Sequence, residues 1–266
     1  MERETRFFDN ARSRLVFVEH YASIKFWEKH WESEAFAKHI QSKNRFVNRW
    51  TSRYLQRGSR VLEAGCGRGQ NVWSLSQEGF DVYGVDYAAE TVKLINRVAP
   101  NLKILPADVR YLPFPDGFFD GYWSLGVIEH YYDGFFEIIE EAARVIRPGG
   151  YLFLTFPHMC LLRQIKAKAG RYKKLPTEFD RNNFYQYALN AEDVLNVAVQ
   201  CGFALVSYRA HDSVKGLKDE CSWLKPALQP LYDSNTLMAR ILRKSIDLVL
   251  CRWTGHLLFL VLKKVF

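Results

Sequence analysis

The sequence predicts an α/β fold in which helices cover both faces of a mostly parallel sheet. Seven apolar segments of strand length recur along the 266 residues, and helical patterns separate the first five of them. Strict alternation of strands and helices is typical of a parallel sheet. A glycine-rich stretch follows the first strand directly, and ligands of such folds bind at the carboxyl ends of the strands.

Each predicted strand is a short apolar or alternating run, and each predicted helix shows the 3.6-residue period of an amphipathic face. Helices are predicted over Asn71–Glu78, Ala88–Val98 and Phe135–Ile146. The predicted strands are Arg60–Glu63, Asp81–Val85, Leu102–Pro106, Phe119–Leu125, Tyr151–Phe156, Phe203–Tyr208 and His256–Leu262.

Length and composition favour one domain with insertions over two domains. The chain is 48% hydrophobic and 15% aromatic, which suffices for one large core. We see neither a run long enough to span a membrane nor a secretory signal. The five cysteines are scattered without a CxxC pair, which favours a cytoplasmic protein without structural zinc. Any membrane contact is expected to be peripheral, at the inner face.

Charge is distributed unevenly along the chain. Residues 61–150 carry 7 Lys and Arg against 13 Asp and Glu, a net charge of −6, whereas residues 1–60 carry 13 against 7, a net charge of +6. The whole chain is at +8, so the segments around an acidic centre are basic. This pattern fits an acidic substrate, a nucleic acid or an anionic membrane surface, and it also fits a solvated surface without a partner.

The stretch "EAGCGRG" suits a ligand that approaches bare backbone. Gly65, Gly67 and Gly69 permit a tight turn from strand to helix. A dinucleotide fingerprint, GxGxxG, would need glycine where Gln70 stands. Glu63 would repel a pyrophosphate and hold a cation. The loop therefore favours S-adenosylmethionine, whose amino group and sulfonium are both cationic.

Two further acids lie at the carboxyl ends of the second and third predicted strands, one and two residues after their last residues. Asp86 lies 23 residues after Glu63, near the offset at which an acid reaches ribose hydroxyls in nucleotide-binding units. Asp108 follows the third strand, where a carboxylate can accept from an adenine amino group. An isolated aspartate at a strand end is more often a helix cap, but three acids in register on consecutive strands are hard to explain as caps.

With these motifs the chain resembles the class I S-adenosylmethionine-dependent methyltransferases, in the group that modifies small molecules, lipids and sugars. The resemblance rests on "VLEAGCGRG", "VYGVD", "ILPADVRYLPFPDGFFD", "SLGVIEH" and "EAARVIRPGGYLFLTFP". It is strong over residues 58–156 and loose over 190–266, and it implies a Rossmann-like, seven-stranded sheet with an antiparallel last strand. It also implies the cofactor-binding residues: Glu63, Gly65, Cys66, Gly67 and Gly69 at the methionine end, Asp86 at the ribose, Asp108 and Val109 at the adenine, and Tyr87 and Leu125 beside them.

Methyl transfer needs an aligned nucleophile and, where that nucleophile carries a proton, a base. His130 follows the fourth strand and is the first candidate base, because imidazole titrates near neutral pH. Its neighbour Glu129 is a candidate for orienting it or for binding the acceptor. Alternatively the pair only packs the loop, since proximity alone makes the reaction feasible. No third ligand with suitable spacing accompanies them, so no metal is expected.

Two accessory segments are expected to choose the substrate. Residues 1–56 are predicted to form a helical lid that excludes water, although aromatics at helical spacing more often only pack. Residues 157–188 are predicted to form a basic and aromatic rim for an anionic group. The lid aromatics are Tyr21, Phe26, Trp27, Trp31 and Phe36, and the rim residues are Arg163, Lys166, Lys168, Arg171, Lys173, Lys174, Phe184, Tyr185 and Tyr187.

A third segment, residues 210–255, is an insertion that the family does not usually have between its last two strands. It contains an amphipathic pattern with Leu237, Met238, Ile241, Leu242, Leu248 and Val249 on one face and Arg240, Arg243, Lys244 and Asp247 on the other. Such a helix more often covers a sheet or forms a dimer contact. With Trp223 nearby, it could instead lie in a membrane interface over residues 223–252.

Taken together, the residues and the resemblance predict an S-adenosylmethionine-dependent methyltransferase acting on a small, anionic or lipid-linked acceptor, with O-methylation favoured. Two alternatives stay open at this stage. An RNA or DNA methyltransferase would explain the basic segments, although no RNA-binding module accompanies them. A non-catalytic protein that binds the cofactor would fit if Glu129 and His130 only pack.

Overall fold

The structure is a computed structural model that describes residues 5–18, 23–31 and 40–266. The described residues form eleven strands. In chain order these are β1 (Thr5–Asp9), β2 (Arg14–Val18), β3 (Arg60–Ala64), β4 (Asp81–Asp86), β5 (Lys103–Pro106), β6 (Phe119–Leu125), β7 (Ile146–Pro157), β8 (Lys173–Lys174), β9 (Phe184–Ala188), β10 (Phe203–His211) and β11 (Leu257–Lys264).

The helices alternate with the strands through the centre of the chain. They are α1 (Ile24–Trp31), α2 (Arg45–Tyr54), α3 (Gln70–Ser76), α4 (Ala89–Val98), α5 (Phe136–Val145), α6 (Leu161–Lys168), α7 (Ala191–Gln200), α8 (Ser213–Glu220), α9 (Lys225–Asp233) and α10 (Leu237–Thr254), with short 3₁₀ turns at Ile128–His130, Arg181–Asn183 and Ser222–Leu224.

The main sheet has seven strands in the order β10-β11-β7-β6-β3-β4-β5. The neighbours from β7 to β5 pair in parallel, whereas β11 is antiparallel to both β7 and β10. The predicted fold class is confirmed, including the antiparallel last strand. Strand order reverses between β3 and β6, which is the position where ligands bind in such sheets.

Helices cover both faces of this sheet. Since side chains alternate along a strand, successive residues are buried under helices on opposite faces. On β3, Val61 joins the apolar cluster under α2, α3 and α4, whereas Leu62 joins the cluster under α5 and α7. Trp123 on β6 anchors the first cluster. It is fully buried, stacks on Phe153 at 4.4 Å between ring centroids and donates to Thr51 Oγ1 at 2.9 Å.

A second sheet of four strands includes β1 and β2, which lie in the segment that we predicted to form a helical lid. Its order is β8-β1-β2-β9, so a hairpin from the N-terminal segment pairs with strands from the predicted rim. Asp9 starts the hairpin turn by accepting from the backbone N–H groups of Ala11 and Arg12, as turn aspartates do. Only α1 and α2 of the described N-terminal residues form helices of the expected kind. Tyr21 and Phe36 lie outside the described residues.

An ion-pair cluster connects this small sheet to the insertion before β11. Glu220 accepts from Arg6 on β1, and from Arg163 and Lys166 on α6, at 2.8 to 2.9 Å. Arg163 is fully buried and also donates to the carbonyl oxygen of His158. Two of the three α6 cations that we predicted to face a substrate, Arg163 and Lys166, therefore stabilise the fold, since a buried guanidinium needs an anion beside it.

The insertion itself consists of α8, α9 and α10. It leaves the sheet at His211 and returns at Leu257, and these two residues pair with each other. Leu257 also pairs with Pro157 at the carboxyl end of β7. The insertion therefore lies at the carboxyl edge of the sheet, the edge at which the glycine loop also lies.

Candidate active site

A cavity of about 1480 Å³ opens at the carboxyl ends of β3, β4, β5 and β6. The sheet topology brings together residues that are far apart in sequence, because parallel strands end at the same edge. Ten of the twelve predicted site residues line this cavity: Glu63, Gly65, Cys66, Gly67, Asp86, Tyr87, Asp108, Val109, Leu125 and His130.

The remaining two predicted residues lie behind the wall. Gly69 is the N-cap of α3 in the left-handed conformation, and a Cβ there would come within 2.7 Å of Ile104 Cδ1. Glu129 is only 2% exposed in the 3₁₀ turn after β6. Their neighbours line the cavity, so these two residues shape the wall rather than its surface.

The glycine loop has a backbone that other residues would strain. Gly65 has φ +78° and Gly67 has φ +50°, a region that favours glycine. A Cβ on Gly65 would come within 2.5 Å of Val127 Cγ2, and one on Gly67 within 2.9 Å of Trp31 Cζ2. The loop thus presents backbone to the cavity in a cradle that a side chain would fill.

Two buried carboxyl groups lie under this loop. Glu63 is 2% exposed, and Asn71 donates to its Oε1 at 2.5 Å, while its Oε2 has no partner within the described part of the chain. Burial raises the pKa of Glu63 to about 8, against the hydrogen bond from Asn71, and nearby Asp86 adds to the rise. An unpartnered buried carboxyl oxygen in a cavity wall fits a cationic group of a ligand.

Asp86 is held by the loop itself. Its Oδ2 accepts from the N–H of Gly67 at 2.8 Å, and its Oδ1 accepts from that of Ala88 at 3.0 Å. Burial raises the pKa of Asp86, while these backbone hydrogen bonds oppose the rise. The carboxylate therefore joins the glycine loop to the start of α4, and lone pairs remain on it for a ligand.

Asp108 is already paired on the other side of the cavity. The Arg110 guanidinium donates to both of its carboxyl oxygens at 2.7 to 3.2 Å, and the Arg110 backbone N–H adds a bond at 2.9 Å. Partial burial favours the neutral acid, but the contacts with Arg110 hold the pKa of Asp108 below its ordinary value. An adenine amino group would therefore share this carboxylate with a guanidinium.

His130 is half-buried against aromatic rings in the cavity wall. Its Nδ1 lies 2.8 Å from the carbonyl oxygen of Tyr185, which can only accept, so Nδ1 carries the proton and Nε2 has a free lone pair. We expected this imidazole to titrate near neutral pH. Burial instead lowers its pKa to about 4, because the charged ring is poorly solvated there.

Glu129 has the opposite shift for the same reason. Burial raises its pKa to about 8, and its Oε2 has no partner among the described residues. A carboxyl group in this state is neutral at pH 7 and can donate a hydrogen bond.

The helix α1 covers the glycine loop. Arg68 donates to the carbonyl oxygens of Trp31 and His30 at the end of this helix, at 2.9 and 3.3 Å, a position where a cation is favourable. Trp27 stacks on Trp31 at 5.8 Å between centroids and meets His130 edge-on at 5.0 Å. Both tryptophans line the cavity.

The rim residues are distributed differently from our expectation. Tyr185 lines the cavity, whereas Phe184 and Tyr187 belong to the buried core. None of the six predicted rim cations is among the residues that line the cavity, and Arg163 and Lys166 are committed to Glu220. Instead, four other cations line it: Arg12, Lys25, Arg68 and Arg110.

Sequence reasoning missed these four cations and Asn71. Arg12 is in the hairpin turn and Lys25 lies in the first turn of α1, so only the folded chain brings them to the cavity. Arg68 lies within the quoted glycine motif and Asn71 follows it two residues later, so their positions were a usable signal. Within the described ranges, no three His, Cys, Asp or Glu side chains are grouped so as to hold a metal ion.

Known proteins are similar to this chain in sequence and in fold. Residues 62–154, from β3 into β7, match the family described as "Methyltransferase domain". A Mycobacterium tuberculosis protein named "Probable S-adenosylmethionine-dependent methyltransferase" is 29% identical over 180 residues, which are 68% of this chain and 58% of that protein. The fatty-acid O-methyltransferase of Mycolicibacterium smegmatis is 34% identical over 102 residues, 37% of each chain.

Among solved structures, the geranyl diphosphate C-methyltransferase of Streptomyces coelicolor A3(2), in complex with S-adenosyl-L-homocysteine, matches with a TM-score of 0.54 and 13% identity, over 92% of this chain and 99% of that one. This likeness concerns the fold alone. The chain spans less than two thirds of the length of these two curated relatives. The family match covers the strands that carry the glycine loop, Asp86, Asp108 and His130. Residues 62–154 therefore match a methyltransferase domain, and the chain is similar in sequence to S-adenosylmethionine-dependent methyltransferases.

Proposed function

We propose that this protein transfers a methyl group from S-adenosylmethionine to an ionised oxygen of a small or lipid-linked acceptor. One observation carries the acceptor class. Arg12 and Lys25 line the cavity, and neither side chain has a hydrogen bond or an ion pair in the described part of the chain. Two unpaired cations beside apolar and aromatic side chains suit an anionic head on an apolar body.

On this proposal the glycine loop and its acids hold the cofactor, which supplies a methyl group bound to a cationic sulfur. Glu63 would hold the amino group, since its Oε2 is unpartnered. Asp86 would accept from the ribose hydroxyls. Asp108 with the Val109 backbone would meet the adenine, and Cys66, Tyr87 and Leu125 would complete the wall around it.

The chain's other contribution is to exclude water and align the acceptor. The helix α1 closes the cavity with Trp27 and Trp31, as a lid does. His130 presents Nε2, which can accept a hydrogen bond from an acceptor hydroxyl and take its proton. With a pKa near 4, this ring is a weak base at pH 7. An acceptor that is already ionised, such as a carboxylate, needs no base, which is why we favour one.

The similarity to a fatty-acid O-methyltransferase supports the same class of acceptor. A carboxylate head would lie at Arg12 and Lys25, and its chain would lie along the aromatic wall. A lipid-linked acceptor could bind in the same way while its lipid part remains in a membrane.

The first test is calorimetric titration with S-adenosylmethionine and, separately, with NAD. We expect binding of the former alone. Turnover is then followed as S-adenosylhomocysteine released with fatty acids, lipid-linked sugars or RNA as acceptors. Cofactor binding without turnover on any acceptor would indicate a non-catalytic protein, and turnover on RNA or DNA alone would overturn the proposal.

The acceptor site is tested by Arg12→Ala and Lys25→Ala. Losing a charged hydrogen bond should raise KM for an anionic acceptor about tenfold or more, with cofactor affinity unchanged. The matched control is Lys174→Ala, which removes an exposed lysine of the same small sheet that does not line the cavity. Equal KM values in all three variants would refute the assignment.

A further inference from the structure

The helix α10 packs on the protein through a mixed face, on which Arg243 and Asp247 lie beside Ala239, Ile246 and Leu250. Its only acid, Asp247, accepts from the backbone N–H of Ser213 at 2.7 Å. Arg243 donates one guanidinium nitrogen to three backbone carbonyls around the C-terminal end of α9, at 2.6 to 2.9 Å, where a cation stabilises the helix end. Polar contacts therefore help to hold this helix in place, together with the few apolar side chains on the same face.

The apolar side of α10 consequently faces outward. Leu248 is 86% exposed, and Met238 and Val249 are each 75% exposed. Residues spaced by three and four share one face of a helix, so these side chains form one continuous stripe. Its members are Leu237, Met238, Ile241, Leu242, Leu248, Val249 and Trp253, all at least half exposed.

Cations accompany this stripe on the exposed side. Arg240, Lys244 and Arg252 are all exposed, and the helix has no exposed acid, because Asp247 is turned inward. Trp223, in the same insertion, is 78% exposed. An apolar stripe with cations and tryptophan is the composition that binds at the interface of an anionic bilayer.

We propose that α10 docks this protein on an anionic membrane surface, with its apolar stripe among the acyl chains and its cations at the head groups. This inference rests on the proposed function, since a lipid-linked acceptor lies in such a surface. Long cationic side chains reach head groups while their stems stay apolar. No helix in the described residues is long and apolar enough to cross the bilayer.

A second copy of this chain fits the stripe less well. A two-fold contact places the same surface on both sides, so Lys244 and Arg252 would face a partner helix that carries the same cations. No exposed acid of α10 could pair with them. Anionic head groups supply the missing counter-charge.

The location of α10 agrees with this role. The insertion starts and ends at the carboxyl edge of the main sheet, through the pair His211 and Leu257. The cofactor loop lies at the same edge. Docking through the insertion therefore brings the edge that carries the cavity to the surface in which the acceptor is embedded.

The test is co-sedimentation of the full chain with vesicles of phosphatidylcholine, with and without about one third phosphatidylglycerol. We expect binding to the anionic vesicles and weaker binding to neutral ones. The double variant Leu248→Asp with Val249→Asp should bind about tenfold less tightly or worse. The control Val199→Asp changes an apolar side chain that is 63% exposed on α7, and it should bind like the parent.

Cofactor titration and light scattering of each variant complete the test. Unchanged cofactor affinity shows that the double variant is folded. A parent protein that ignores anionic vesicles, or a double variant that still binds them, overturns the inference. So does a parent dimer that the double variant converts to a monomer, because the stripe would then be a self-interface. Turnover on a detergent-solubilised acceptor without vesicle binding would refute the docking and leave the proposed function intact. Vesicle binding without turnover on any acceptor would support the docking and refute the proposed function.

Discussion

Replacing Glu63 by Gln should remove most of the pH dependence of S-adenosylmethionine binding. In the free protein, burial raises the pKa of Glu63 to about 8. If the cationic amino group needs the carboxylate, only about a tenth of the molecules carry ionised Glu63 and can bind the cofactor at pH 7. Affinity should then rise about fiftyfold between pH 6 and pH 8, because binding of a cation lowers the pKa and releases a proton.

The assay is calorimetry across this range, with two buffers of different ionisation enthalpy at pH 7. The parent should release about 0.9 proton per ligand bound at pH 7, whereas Glu63→Gln should release far less. The ligand's own titration is the same for both proteins, and Asp86 is present in both, so the difference isolates Glu63. A parent affinity that is flat with pH, or an equal slope in the variant, would refute the reasoning.

The same shift affects stability with a definite sign. The folded state binds the Glu63 proton more tightly than the unfolded state, whose pKa is near 4.5. The free energy of unfolding of the ligand-free parent should therefore fall as pH rises from about 5 to 8. Urea unfolding of Glu63→Gln should show a smaller fall over the same range. An equal fall would mean that this carboxyl group titrates normally.

Three further predictions concern the loop and the ion-pair cluster. Asp86→Ala should weaken cofactor binding by about 1–3 kcal/mol, since ribose hydroxyls and two loop N–H groups lose their acceptor; unchanged affinity by calorimetry would reject the assignment. Gly67→Ala should weaken cofactor binding and lower Tm, because its Cβ would come within 2.9 Å of Trp31 and because φ is +50° there. A variant with the Tm and affinity of the parent would show that α1 does not pack tightly on the loop. Glu220→Gln should destabilise by about 3 kcal/mol at pH 7, the cost of breaking a buried pair. Although burial favours the neutral acid, the charges of Arg163 and Arg6 lower the pKa of Glu220 to about 2, so this difference should shrink as pH falls from about 4.5 towards 2 in urea unfolding.

Much of the main sheet could be predicted because its information is local. The apolar runs and the helical period fix where strands and helices lie, and β3, β4, β6 and β11 fall within a few residues of their predicted bounds. The alternation of strand and helix then implies the parallel order. The acids at strand ends follow from the same order, because parallel strands end at one edge.

The small sheet could not be predicted, because its partners are distant in sequence. The strand β2 pairs with β9 through contacts such as Leu15 with Ala188, and neither segment shows a long alternating run. The burial of Arg163 depends on Glu220, which follows 57 residues later. Pairwise contacts of this kind leave no periodic signal in either segment.

The sequence by itself therefore determined the fold class, the glycine loop and the acids around it, since these depend on short-range pattern and on backbone freedom. Only the tertiary structure decided which charges face the cavity and which face each other. In the folded chain Arg163 is buried, Arg12 and Lys25 line the cavity, and the apolar stripe of α10 is exposed. A helix pattern specifies which residues share a face, but only the tertiary contacts, including those of Arg243 and Asp247, determine which face packs on the protein.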